Sequence, residues 1–250
     1  MHESSAVLLF VCAVAAVYVL AACALVRVAL RRLGFMERPT RAVLFTERAS
    51  LALAALGLAC FAYGYFVEPY WPEVTRVRIE SPKLGGAQRP VRLVHISDLH
   101  CDPEPRLEER LPDLIAAEHP DLIVYTGDSI NSPEGLPVLR RLLPRLAAVA
   151  PTYAVRGNWD TAYWRREELF GGTGVVELKK EAARVDAAGT TLWVAGAPFA
   201  SLSQAEPPAG VRGGIEAAVG EVPPGGFTVF LYHTPDEILE AAATGRVDLY

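Results

Sequence analysis

The chain has 250 residues, a formal net charge of −5 and 51% apolar residues, which allows one medium domain with an appendage. Nucleic-acid surfaces are built from Lys and Arg clusters, and no run of them follows residue 48, so that partner class is excluded. Four cysteines, three of them in apolar segments, exclude a disulfide framework and leave Cys101 as the one thiol of the remainder.

Residues 6–26 and 49–67 contain no charge. At 1.5 Å per residue each can cross a hydrocarbon core of about 30 Å. Neither shows the polar stripe that a helix on a soluble core would carry. The spacing therefore predicts a membrane anchor over residues 1–67, a hairpin of two transmembrane helices. A cleaved leader is the bland alternative for the first, but His2 and Glu3 stand where basic residues would be needed. Arg27, Arg31, Arg32, Arg38, Arg41 and Arg48 lie between the spans against Glu37 and Glu47. Such a loop stays in the cytoplasm, which predicts a multi-pass protein of the cytoplasmic membrane whose remaining domain is extracytoplasmic. Tyr63, Tyr65, Phe66, Tyr70 and Trp71 fit an outer aromatic belt against the lipid bilayer.

Residues 68–90, rich in Pro and Gly, read as a linker interrupted by one alternating strand at 74–79. Beyond it the pattern alternates. Short apolar runs at 91–96, 122–125, 153–155 and 227–231 read as fully buried strands. Helices are predicted over 106–118, 137–149 (with Pro144 as a kink), 161–170 and 236–243. Residues 175–178 and 191–194 read as a strand pair, with Ala188-Gly189 in a turn between them. Residues 246–250 read as the start of a further buried strand. The fold class is α/β with mostly parallel central strands.

Each of the four strands runs directly into a polar cluster. These are His95-Ile96-Ser97-Asp98-Leu99-His100, Thr126-Gly127-Asp128, Arg156-Gly157-Asn158-Trp159-Asp160 and Tyr232-His233-Thr234-Pro235. Loops at the carboxyl ends of parallel strands converge on one crevice. Asp98, His100, Asp128, Asn158 and His233 should therefore meet there, although widely separated in sequence. Carboxylates, imidazoles and an amide oxygen together suit a divalent metal, and better two that share a carboxylate. Other polar residues have plainer readings. His95 is a hydrogen-bonded core histidine, His119 a helix-end surface residue, Cys101 a small side chain in a tight loop and Asp160 a helix cap. Asp102 and Glu104 belong to a surface loop, and Gly171–Gly174 lacks the Lys and the strand-loop-helix order of a phosphate loop.

In order and spacing, Asp98-Leu99-His100, Gly127-Asp128, Gly157-Asn158 and His233 resemble the first four signature blocks of calcineurin-like metallophosphoesterases. The resemblance covers residues 91–250, and the hairpin ahead of them is similar to that of membrane-anchored bacterial members. It implies a layered α/β domain holding two divalent ions such as Mn, Fe or Zn. Asp98 and His100 would hold the first ion, Asp128 would bridge both, and Asn158 and His233 would hold the second. A bridging ligand must be anionic to offset the repulsion of two dications about 3.5 Å apart. The family usually has His after the Asn, serving the leaving group, and here that residue is Trp159. The family's last block, Gly-His-x-His, follows the strand that begins near Val247, so the domain is expected to be C-terminally incomplete, with one histidine missing from each ion.

The resemblance implies a membrane-anchored, metal-dependent phosphoesterase that uses water activated by the ions. Its substrate would be a phosphate monoester, diester or diphosphate, either a small molecule or lipid-linked. The competing reading is a truncated or degenerate, non-catalytic member that acts only as a membrane-associated interaction protein.

Overall fold

The computed structural model describes residues 3–199 and 210–250, and the chain falls into two units that divide between Glu73 and Val74. The first unit is a pair of long helices, α1 (Glu3–Arg32) and α2 (Arg41–Phe66). Segments Ser5–Arg32 and Arg41–Tyr70 are each long and apolar enough to cross a membrane. Their large apolar side chains point outward, and what they bury is small: Ala21, Ala24 and Ala54. The Glu47 carboxylate is buried beside them and accepts from Arg27 Nε at 2.9 Å and Arg31 Nη1 at 3.0 Å. Both helices extend past the apolar runs, so Arg38 alone of the six arginines lies in the connection. Arg is a good helix former, and Thr40 caps α2 by accepting from the Val43 N–H.

The second unit holds two sheets. Strands β1 (Leu93–Ile96), β2 (Leu122–Tyr125), β3 (Thr152–Ala154) and β4 (Val176–Glu177) form the first, all parallel and in that order. In the second sheet β5 (Glu181–Ala187) pairs antiparallel with β6 (Thr190–Gly196), which pairs parallel with β7 (Phe227–Leu231). Helices α3 (Leu111–Ala117), α4 (Leu136–Val149), α5 (Asn158–Tyr163), α6 (Gly210–Ala218) and α7 (Ile238–Ala243) complete the unit.

Period-two alternation sorts the strand residues into layers. Ile123 and Tyr125 of β2 pack with Ile115 of α3 and Leu139, Leu142, Leu143 and Leu146 of α4. Leu122 and Val124, on the other face, pack with Leu192 and Val194 of β6 and Val229 and Leu231 of β7. Phe230 and Ala195 then turn outward onto Ile215 and Ala218 of α6 and Ala241 of α7. The result is four layers, helices–sheet–sheet–helices, with the strand interiors apolar on both faces.

Several predicted elements are corrected. The mostly parallel strands divide between two sheets, β1–β4 and β5–β7. Residues 175–178 do not pair with 191–194: β4 joins β3, and the hairpin partner of β6 is β5. The turn between β5 and β6 is Ala188-Gly189 as expected, both residues having positive φ, as a two-residue hairpin requires. Residues 74–79 form no strand and lie exposed without a ladder partner. The helix predicted over 106–118 begins only at Leu111, since the Glu108 carboxylate captures the N–H groups of Arg106 and Leu107. The helix predicted over 161–170 spans Asn158–Tyr163 instead, because Arg156 takes the carbonyls of Trp164 and Glu167. Pro144 sits inside α4 without ending it, and α6 was not predicted. Strand β1 is only partly buried, and His95 on it is exposed, its Nε2 2.8 Å from Thr126 Oγ1. At 246–250 the chain runs beside β7 as expected, Leu249 forming a parallel bridge to Val229 in which Leu249 N–H donates to Thr228 O and Phe230 N–H to Leu249 O.

Candidate metal centre

The strand ends bring the polar clusters together through backbone bonds that continue the first sheet's pairing. Thr126 N–H donates to Ile96 O, Asp98 N–H to Gly127 O at 2.9 Å, and His100 N–H to Asp128 O at 2.9 Å. Asp98, His100 and Asp128 all have left-handed backbones, with φ of 55°, 42° and 57°. Asp and His enter that region more readily than other side chains, but three such residues in one place mark a constrained turn. Gly127, with φ of 96°, permits the close approach of the next loop, since a Cβ there would overlap the Gly157 backbone. A Cβ on Gly157 would in turn overlap the Asp128 carboxylate.

Asp128 is the centre of the cluster and is buried. Its Oδ1 accepts from the Trp159 N–H at 2.8 Å. Its Oδ2 faces His100 Nε2 and His233 Nε2, each at 3.5 Å. His100 Nε2 also lies 4.0 Å from Asp98 Oδ1, and the ligand atoms of Asp98, His100 and Asp128 fall within 4.8 Å of one another. Burial pushes the Asp128 carboxyl up from its ordinary value, against the pull of the Trp159 N–H. His233 Nδ1 stands 2.8 Å from the Thr126 carbonyl. Only an N–H can bond a carbonyl there, which leaves the neutral ring's lone pair on Nε2, aimed at Asp128.

The structure thus brings Asp98, His100, Asp128 and His233 together. Asn158 opens α5 between two residues that touch Asp128, and its exposed side-chain amide makes no hydrogen bond among the described residues. The Asp160 side chain was expected only to cap α5. It does so, accepting from Gly157 N–H, and it also accepts from the N–H groups of Asp128 and Ser129. The Thr126 carbonyl was missed altogether, because a backbone acceptor leaves no mark in side-chain sequence. Cys101 is buried, and burial beside Glu108 pushes its thiol far up, which suits a packed side chain and not a ligand.

The donor set fits a divalent cation. Two carboxylates, two imidazoles and a free amide oxygen are the borderline and hard ligands such ions take. Two ligand atoms of one tetrahedral ion, each about 2.1 Å from it, lie about 3.4 Å apart, and the Asp128–His separations are 3.5 Å, too long for hydrogen bonds. Aromatic rings line the same histidines: Trp159 meets His100 edge-on at 5.8 Å, and Phe199 meets His233 at 6.4 Å.

Comparison with known proteins agrees with this geometry. The chain is 24% identical over 198 residues to the uncharacterized metallophosphoesterase YkoQ of Bacillus subtilis, covering 76% of this chain and 70% of that one. It is 28% identical over 127 residues to the UDP-2,3-diacylglucosamine pyrophosphatase LpxG of Chlamydia trachomatis, covering 48% and 37%. A similar 28% over 141 residues relates it to the uncharacterized metallophosphoesterase YkuE of Bacillus subtilis, covering 52% and 48%. The chain therefore spans less than half the length of the last two. The family model for calcineurin-like phosphoesterases matches residues 91–234, more than half of the chain, which hold the first three polar clusters and Tyr232-His233-Thr234 of the fourth. With the clusters, the parallel strands and that match in agreement, the chain belongs to the calcineurin-like phosphoesterase family.

Proposed function

We propose that Asp98, His100, Asp128, Asn158 and His233 hold two divalent cations of the Mn, Fe or Zn type, with Asp128 between them. In this reading the chain is a membrane-anchored hydrolase of a phosphate ester or diphosphate. The observation that carries it is Asp128 Oδ2 facing two imidazole nitrogens at 3.5 Å with no hydrogen bond to either. Residues 1–67 serve as the anchor, 68–90 as the linker and 91–250 as the domain that carries the site, on the outer side of the cytoplasmic membrane. A lipid-linked diphosphate is the favoured substrate class. Two apolar helices supply the bilayer contact, and LpxG, whose name describes a pyrophosphatase of a diacylated sugar nucleotide, is among the relatives.

A divalent pair supplies Lewis acidity to a phosphoryl oxygen and makes water a nucleophile at neutral pH. The chain's own part is to hold that pair in place. His233 keeps a lone pair on Nε2 through its bond to Thr126, and Asn158 adds an oxygen without adding charge. Trp159 stands where the family's usual His would serve the leaving group. An indole keeps its N–H at any ordinary pH, so Trp159 cannot give the leaving group a proton.

The test is Mn²⁺ titration of the full chain in detergent, with hydrolysis of p-nitrophenyl phosphate read alongside. Asp128→Asn is expected to weaken Mn²⁺ binding by about 100-fold or more and to bring hydrolysis to background. A wild-type chain that binds Mn²⁺ no better than the variant overturns the metal reading. Binding with no hydrolysis above the variant's background supports the non-catalytic reading, which Trp159 favours.

A further inference from the structure

Asp160 does more than a helix cap needs. Its side chain is fully buried and gathers four donors. Gly157 N–H, at 3.1 Å, is the ordinary capping bond of α5. The other three come from a loop more than thirty residues earlier: Asp128 N–H at 2.9 Å, Ser129 N–H at 2.8 Å and Ser129 Oγ at 3.2 Å. One carboxylate therefore ties together the two turns on which Asp128 and Asn158 sit, and it takes the N–H of the left-handed residue that faces both histidines. A left-handed Asp costs backbone energy that its surroundings must offset, and charge-assisted bonds to backbone N–H groups are the strong kind. The same carboxylate places a second negative charge behind Asp128, where it attracts a cation without reaching it.

We infer, resting on the metal reading above, that Asp160 is a positioning residue that sets how tightly the centre holds its cations. It touches neither cation nor substrate. It holds Asp128 in the one backbone conformation that aims Oδ2 between His100 and His233, and it keeps the Gly157–Asn158 turn at the distance at which Asn158 can complete the set.

The experiment is Mn²⁺ calorimetry on the full chain in detergent, with a urea melt of each protein. Asp160→Asn keeps the shape, removes the charge and presents an NH₂ to N–H donors. It is expected to weaken Mn²⁺ binding by about 10- to 100-fold, the usual cost of losing an outer partner of a metal ligand. Leu142→Ala is the control: it opens a cavity in the helix-facing core, lowers the urea midpoint, and is expected to leave Mn²⁺ affinity unchanged. If Asp160→Asn binds Mn²⁺ like wild type, or if Leu142→Ala weakens binding as much, the role is merely structural and the inference falls. Should Asp160→Asn not fold, Ser129→Ala removes only the hydroxyl bond, with about a threefold loss expected; unchanged affinity would overturn the inference. A wild-type chain that binds no Mn²⁺ overturns the metal reading itself, whereas wild-type binding with an indifferent Asp160→Asn overturns only this step.

Discussion

The two units of the chain bury opposite things. The α/β unit hides Leu139, Leu143 and Phe230 between its layers and keeps most of its charges outside, Glu108, Asp128 and Asp160 being buried. The helix pair shows Leu8, Phe10 and Leu58 to its surroundings and hides three alanines, Ser50 and Glu47, the last held by two partly exposed arginines. For the first kind, water supplies the driving force and large side chains fill the core. For the second, small residues let the helices approach closely and the apolar surface needs another apolar phase around it. A buried Glu47 held by two arginines is tolerable because its partners satisfy it. The exposed apolar faces of α1 and α2 fit a lipid phase, as their length and composition do.

The widest gap that this comparison allows is one of location. Alkaline phosphatase fused after Ser81 should be active in cells and a fluorescent reporter that works only in the cytoplasm should be dark, an all-or-none outcome. The opposite pair of results would put the α/β unit in the cytoplasm and undo the arginine-based orientation. Stability gives the next largest effect. Leu143→Ala removes a fully buried side chain and should cost about 2–5 kcal/mol in a urea melt followed by tryptophan fluorescence. Leu9→Ala, 63% exposed on α1, should leave that melt where it is. Matching shifts for both would show that the units unfold as one.

What could be read in the sequence followed the same contrast. Strands β2 and β7 were legible because every residue in them is apolar or buried, and each leads straight into a chemically unusual cluster. The convergence of the polar clusters was legible for that reason: Asp98, His100, Asp128 and His233 lie close together, as their positions after strands suggest. Strand β5 was not, since Glu181, Arg184 and Asp186 face solvent on a sheet edge and only Val185 is buried. Helix α6 carries three glycines and is stabilised by what Ile215 and Ala218 touch, which propensity does not report. The stretch 74–79 alternates like a strand but pairs with no strand among the described residues. Asp160 read as a cap because its remaining donors, two backbone N–H groups and the Ser129 hydroxyl, come from a distant loop, and distance in space is what sequence periodicity leaves out.

The smallest effect lies just ahead of β1, where surface charge replaces the buried ion cluster of the helix pair. Arg89 donates to both carboxylate oxygens of Asp121, at 2.8 Å and 2.5 Å, and the Arg92 N–H adds a third bond at 2.9 Å. These bonds, that of Arg89 foremost, hold the Asp121 carboxyl below its ordinary value. A folded value below the unfolded one means stability that is present above about pH 4 and is lost as pH falls through the lowered value. Arg89 is more than half exposed, so water and salt screen the pair. Asp121→Asn should therefore cost only about 0.2–1 kcal/mol at pH 7, measured as a urea midpoint shift. The gap to wild type should narrow as the pH is taken below 4, and also in 1 M salt. A cost at pH 7 as large as that of Leu143→Ala, unchanged by acid and salt, would mean that Asp121 acts through packing and that the surface ion pair contributes nothing.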